Sequence, residues 1–143
     1  MIEYRKGNLL DVTEGVIVHE CNMQGVMGSG VAKQIKQKYP ACFERYKRIL
    51  DNGGTFLGDT IMHRVDQKLT ICNALTQSFY GTDKRYVNYT AIVFVFHQLI
   101  PNQRVLHFPK IGAGLGGGDW NIIEQLINDC DPIDSTKKIC WEL

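Results

Sequence analysis

No apolar run in this chain approaches the ~20 residues that a membrane-spanning helix needs, so no membrane partner is expected. The opening Met1-Ile2-Glu3-Tyr4-Arg5-Lys6 lacks the apolar centre of a secretion signal. There is no Cys-x-x-Cys pair. The five cysteines, Cys21, Cys42, Cys72, Cys130 and Cys140, are odd in number and widely spaced, which supports neither a zinc site nor a disulfide framework. Reduced thiols and a cytoplasmic location are the expectation, with no metal and no cofactor. Charge of one sign is also missing. Sixteen Lys and Arg stand against 15 Asp and Glu, a formal net charge of +1, and that balance argues against a dedicated nucleic-acid surface, which needs a strong basic patch. Linkers, repeats and low-complexity tracts are absent too.

What is present is the material of one ordinary domain, residues 1–143, with 44% apolar residues for a core. Ile2 to Arg5 and Val16 to His19 read as strands, the second an unbroken apolar run suited to burial on both faces. Val31 to Lys38 reads as a helix, and Pro40 can open the next one, which Asn52-Gly53-Gly54 stops. Thr60 to Val65 and Leu69 to Ala74 are strands joined by a tight turn through Asp66-Gln67. Tyr86 to Leu99 carries its apolar residues at helical spacing, although Ala91 to Phe96 is β-branched enough to mimic a strand. Arg104 to Phe108 is a strand, Trp120 to Asn128 a helix, Lys137 to Trp141 a last strand. The alternation predicts an α/β fold in which a largely parallel sheet has helices on both faces. Its ligands would sit at the carboxyl ends of the strands.

Two glycine-rich turns fall at those ends. One is Gly25-Val26-Met27-Gly28-Ser29-Gly30, after the second strand. The other is Ile111-Gly112-Ala113-Gly114-Leu115-Gly116-Gly117-Gly118, after the strand ending at Phe108. Turns without Cβ atoms let backbone N–H groups close on a phosphate, and a following helix adds partial positive charge. Two of them could clamp a pyrophosphate, or could serve only as tight turns. Gly112-x-Gly114-x-x-Gly117 fits the dinucleotide fingerprint, but a nicotinamide-binding domain needs further βαβ units after it. Glu142 stands near the place of that domain's acid, with only Leu143 beyond, so an oxidoreductase is not expected. Neither turn ends in the Gly-Lys-Ser/Thr of a P-loop.

His19 and Asn22 flank the first turn. His19 is either a satisfied structural residue or an acid–base group; Asn22 either shapes the turn or bonds a sugar hydroxyl. Asp119 reads as the N-cap of the next helix, or as a carboxylate that positions water. His63, His97 and His107 read as structural, and Lys33, Lys36 and Lys38 as a solvated helix face.

Taken together, Val18-His19-Glu20-Cys21-Asn22 running into Met27-Gly28-Ser29-Gly30-Val31, Pro109-Lys110-Ile111 running through Gly118-Asp119-Trp120, and Lys6-Gly7-Asn8-Leu9 at the start resemble the macrodomain family over essentially the whole chain. The resemblance implies a three-layer α/β/α fold with a mixed, largely parallel sheet of about six strands. It also implies ADP-ribose or ADP-ribose 1″-phosphate as the small-molecule partner, and a monomer. Within the family the motifs are similar to those of yeast-type ADP-ribose 1″-phosphate phosphatases. That branch implies His19 and Asp119 as the catalytic pair. It implies ADP-ribose contacts from Asn8, Leu9, Asn22, Gly25, Met27, Gly28, Ser29, Gly30, Val31, Thr76, Gln77, Ile111, Gly112, Ala113, Gly114, Leu115, Gly116 and Gly117.

Two departures stand out. Asn8 replaces the Asp that in many relatives accepts from the adenine amino group, so its bond carries no charge. Glycohydrolase relatives use a lysine after the fourth strand, where Leu75-Thr76-Gln77 places Gln77, which cannot form a Schiff base; Lys84 is nearby. The expected activity is hydrolysis of ADP-ribose 1″-phosphate to ADP-ribose and phosphate. The alternatives are removal of ADP-ribose from protein or nucleic acid, with ADP-ribosylated macromolecules as partners, and a non-catalytic reader.

Overall fold

The computed structural model describes residues 1–143. Six strands form one sheet: β1 (Glu3–Lys6), β2 (Gly15–Asn22), β3 (Thr60–Arg64), β4 (Leu69–Gln77), β5 (Val105–Phe108) and β6 (Lys137–Glu142). Their order is β1-β6-β5-β2-β4-β3, and only β3 runs antiparallel, against β4. The helices are α1 (Gly30–Lys38), α2 (Pro40–Asp51), α3 (Tyr89–Leu99) and α4 (Trp120–Asp129). The architecture is the expected three-layer α/β/α arrangement around a mixed sheet.

Side-chain alternation along the central strands sorts the core into two layers. Val16 and Val18 of β2 meet Ile92, Val95 and Phe96 of α3 and Ile123 and Ile127 of α4. Ile17 of β2 points the other way, against Ile35 of α1, Cys42 of α2 and Ile71 of β4. Cys21 and Leu75 continue that second layer toward Tyr46 of α2.

Local chemistry fixes the helix starts. Pro40 opens α2, where its missing N–H has no partner to lose. Asp119 caps α4, accepting from Asn121 N at 2.9 Å, and Asn88 caps α3 through Ala91 N at 2.9 Å. The α3 cap corrects the expected boundary: the helix begins at Tyr89 rather than Tyr86, and Val87 instead bridges to Gln77. The β-branched stretch Ile92 to Val95 stays helical because Ile92, Val95 and Phe96 are packed into the core, which overrides their weak helix propensity.

Two strands run further than expected. β2 continues to Asn22 and β4 to Gln77, with a register shift at Cys21/Asn22. The extension places Glu20, Asn22 and Gln77 on rigid strand ends rather than in loops. The connection from β1 to β2, residues 7–14, crosses one face of the sheet as a strap containing a 3-10 turn, Leu9–Asp11.

Candidate functional site

The two glycine turns come together at the carboxyl ends of β2 and β5. Leu115 of the second turn lies against Gly30 of the first: a Cβ on Gly30 would sit 3.2 Å from Leu115 Cδ1. Between them opens a cleft of about 270 Å³ whose lining includes Glu20, Asn22, Gly28, Ser29, Gln77 and Leu115, with Tyr80, Gly81 and Thr82 on a third side. Its size is near the lower end for small-molecule sites.

The backbone of this cleft presents donors. In the second turn the N–H groups of Ile111, Ala113, Gly117 and Gly118 bond to other carbonyls of the turn, whereas those of Gly112, Gly114, Leu115 and Gly116 have no partner in the chain. In the first turn, Gly28, Ser29, Gly30, Val31 and Ala32 leave their N–H groups free, as the start of α1 requires. Ser29 occupies the N-cap without making a side-chain cap bond. Free N–H groups at a glycine turn and at a helix N-terminus suit an anionic group.

Asn22 holds the first turn in shape. Its Oδ1 accepts from Gln24 N at 2.9 Å and from the Tyr46 hydroxyl at 2.9 Å, and its Nδ2 donates to Val26 O at 2.9 Å. The amide that the resemblance assigns to a ribose is therefore largely engaged with the loop itself. Gln77 is different. Its Nε2 donates to Phe79 O at 2.8 Å, which fixes the amide orientation. Its Oε1 is buried and has no hydrogen-bond partner.

Glu20 is the residue that the sequence reading missed. Its carboxyl lies beneath the second turn and accepts from Thr76 Oγ1 at 3.1 Å. A Cβ on Gly116 would come within 2.6 Å of Glu20 Oε1, so only glycine allows the turn to pass so close. Burial pushes this carboxyl up to about 7, and the Thr76 bond only partly offsets it. The signal was available in the strand pattern. A carboxylate two residues beyond Val18, on the same side of an otherwise apolar strand, is costly unless it has a use.

His19 and Asp119 each have structural contacts of their own. His19 is 0% exposed and points toward α2, with Ile17 and Cys21, because odd-numbered residues of β2 face that way. Its Nε2 donates to Asn73 Oδ1 at 2.6 Å, and burial lowers it to about 4, so it is neutral. Asp119 is exposed and caps α4. Each has the structural role weighed for it above.

The remaining expected contacts divide. Gly112 lies above Glu20, and Thr76 bonds it. Met27 and Ile111 are buried, so they offer the ligand backbone only, and Val31 packs on the core. Asn8 caps the 3-10 turn through Leu10 N at 2.9 Å and, like Leu9, is not part of this cleft. Lys84 rests its ammonium 5.3 Å from the Tyr86 ring, outside the lining.

A family model described as Macro domain matches residues 18–127. The chain belongs to the macrodomain family. This macrodomain is 30% identical over 132 residues to a DNA ADP-ribosyl glycohydrolase of Mycobacterium tuberculosis, covering 87% of the chain but only 37% of that longer protein. It is 26% identical over 147 residues to an ADP-ribose 1″-phosphate phosphatase of Candida albicans, covering 92% of the chain and 94% of the relative. Among solved structures, the macrodomain of Mycobacterium tuberculosis DarG superposes with a TM-score of 0.85 at 25% identity, covering 100% of this chain and 98% of that one.

Proposed function

We propose that the cleft binds ADP-ribose and that this macrodomain hydrolyses ADP-ribose 1″-phosphate to ADP-ribose and inorganic phosphate. The observation that carries the reading is the meeting of the two glycine turns at one cleft, with unpartnered N–H groups on Leu115 and at the start of α1. Phosphate oxygens satisfy such donors. The Candida relative, matched along nearly its full length, is named for this reaction.

In the proposed step, water attacks phosphorus and the bond between phosphorus and the anomeric oxygen breaks. Protonated Glu20 supplies the proton that the departing oxygen needs, leaving ADP-ribose with a free anomeric hydroxyl. Loose phosphoryl-transfer transition states demand little activation of the nucleophile, so positioning and charge stabilisation carry most of the rate. The free N–H groups of Gly112, Gly114, Leu115 and Gly116 provide that stabilisation.

The mycobacterial relative's name favours a second reading, removal of ADP-ribose from DNA. Gln77 at the end of β4, where glycohydrolase relatives are expected to carry a lysine, weighs against a lysine-mediated route. One substrate panel separates the readings. Phosphate release from ADP-ribose 1″-phosphate, with ADP-ribosylated DNA left intact, supports the first. The reverse pattern supports the second, and tight ADP-ribose binding with no turnover of either would make the protein a reader.

A further inference from the structure

A second cavity, about 830 Å³, shares no lining residue with the glycine-turn cleft. It lies on the face of the sheet that carries α1 and α2. Those helices cover β2, β4 and β3, through Ile17, Leu69, Ile71, Ile61 and Leu75. On the neighbouring strands of the same face only the 7–14 strap crosses. The inward side chains of β5, β6 and β1 therefore form an open floor that includes His107, Ile139, Trp141 and Arg5.

Charge in this groove is one-sided. Arg5, Arg64, Lys68, Arg104 and Lys137 line it against only Asp11 and Glu14, five positive side chains to two negative. The near-neutral sequence gave no sign of it, because net charge does not record where the charges gather. The expectation that no nucleic-acid surface exists rested on that total. Arg5 and Lys68 each have an acidic neighbour, Glu3 and Glu14; Arg64 donates to Asp66 O and Gln67 O but forms no ion pair, and Arg104 and Lys137 form none. The aromatic part is ordered: Trp141 Nε1 donates to His107 Nδ1 at 3.0 Å, and the Arg5 guanidinium lies 5.8 Å from the Trp141 ring.

We propose that this groove binds a single strand of nucleic acid, its phosphates along Arg64, Arg104 and Lys137 and a base against Trp141 and Arg5. Cations tracking a backbone beside an aromatic and guanidinium platform are the elements by which single strands are held without sequence preference. An acidic peptide would satisfy the cations but leave that platform unused. A duplex presents a convex surface to a groove walled by the strap. The proposal does not depend on the chemistry of the cleft, since no residue is shared.

The test uses the whole chain and an unmodified, labelled oligothymidylate of about ten nucleotides, a length within the ~4–16 of single-strand modules. Anisotropy should report binding that weakens about 20-fold between 50 and 200 mM salt, the slope for roughly three phosphate contacts. The double variant Arg104→Glu/Lys137→Glu, altered only at exposed side chains, should bind at least ~10-fold more weakly while keeping the wild-type affinity for ADP-ribose. In Trp120→Phe, which leaves Trp141 as the sole tryptophan, the oligonucleotide should quench emission. No binding at 50 mM salt, unchanged binding by the charge-reversed variant, or equal displacement by polyglutamate would each overturn the proposal. Absence of ADP-ribose 1″-phosphate turnover with oligonucleotide binding intact would bear on the cleft alone.

Discussion

His19 Nε2 donates to Asn73 Oδ1 across 2.6 Å in the layer between β2 and α2, and that bond keeps the histidine of the first-turn motif out of the cleft. Asn73 is held in turn by its own Nδ2, which donates to Ile61 O at 3.0 Å. His19→Ala would leave the Asn73 oxygen with only the weak thiol donors of Cys42 at 3.4 Å and Cys21 at 3.8 Å, beside a cavity, lowering stability by about 2–4 kcal/mol. Turnover per folded molecule should stay near wild type, well short of the ~10²-fold loss that removing an acid–base group brings. Urea unfolding and kcat measured on the same preparation separate the two effects.

The same burial makes His19 a source of acid sensitivity. Its folded value of about 4 lies below the ordinary 6.5, so the unfolded chain binds the extra proton between those limits. Stability is therefore lost as pH falls from about 6.5 to 4, by about 3 kcal/mol in all. Urea midpoints across that range should drop steeply for the native chain and less steeply for His19→Gln, which has no ring to protonate.

Glu20 works in the opposite sense. Its folded value of about 7 lies above the ordinary 4.5, so here the folded chain holds the extra proton. Stability from this group declines as pH rises from about 4.5 through 7, by on the order of 2 kcal/mol once cleft water is allowed for. Glu20→Gln should accordingly melt higher than the native chain at pH 8 and differ little at pH 4.5. If protonated Glu20 is the acid of the reaction, kcat falls as pH rises past about 7, and Glu20→Gln loses that dependence.

Far from the cleft, Lys138 and Asp131 form an ion pair with Nζ to Oδ2 at 2.6 Å and side chains 0% and 1% exposed. Ser135 N and Thr136 N also donate to the Asp131 carboxylate. Lys138→Met would strand that carboxylate without its cation, at about 3–5 kcal/mol. Adding Asp131→Asn should recover part of the loss, and a thermal-melt double-mutant cycle would measure how much.

Periodicity and punctuation made the scaffold legible. The apolar run at Val16 placed the central strand, Pro40 placed a helix start, and the Asp119 cap emerged where its sequence context put it. The two glycine turns did meet at one edge of the sheet, whereas Asn8 and Leu9 lie in the strap, away from them. The direction of individual side chains was less legible. His19 and Glu20 are adjacent, yet the pleat sends the histidine into the core and the carboxyl under Gly116. The unpaired Oε1 of Gln77 depends on its bond to Phe79 O, a contact with no sequence signature. The basic groove depends on bringing Arg5, Arg64, Arg104 and Lys137 together from four distant stretches, which composition cannot register.

The most direct test of the account is inorganic phosphate release from ADP-ribose 1″-phosphate at pH 6.5, measured for the native chain and for Glu20→Gln, with calorimetric binding of ADP-ribose to both. The account predicts turnover by the native chain and a loss of about 10²-fold in the variant, with ADP-ribose still bound. A native chain that binds ADP-ribose yet releases no phosphate, or a Glu20→Gln variant that keeps the full rate, would contradict it.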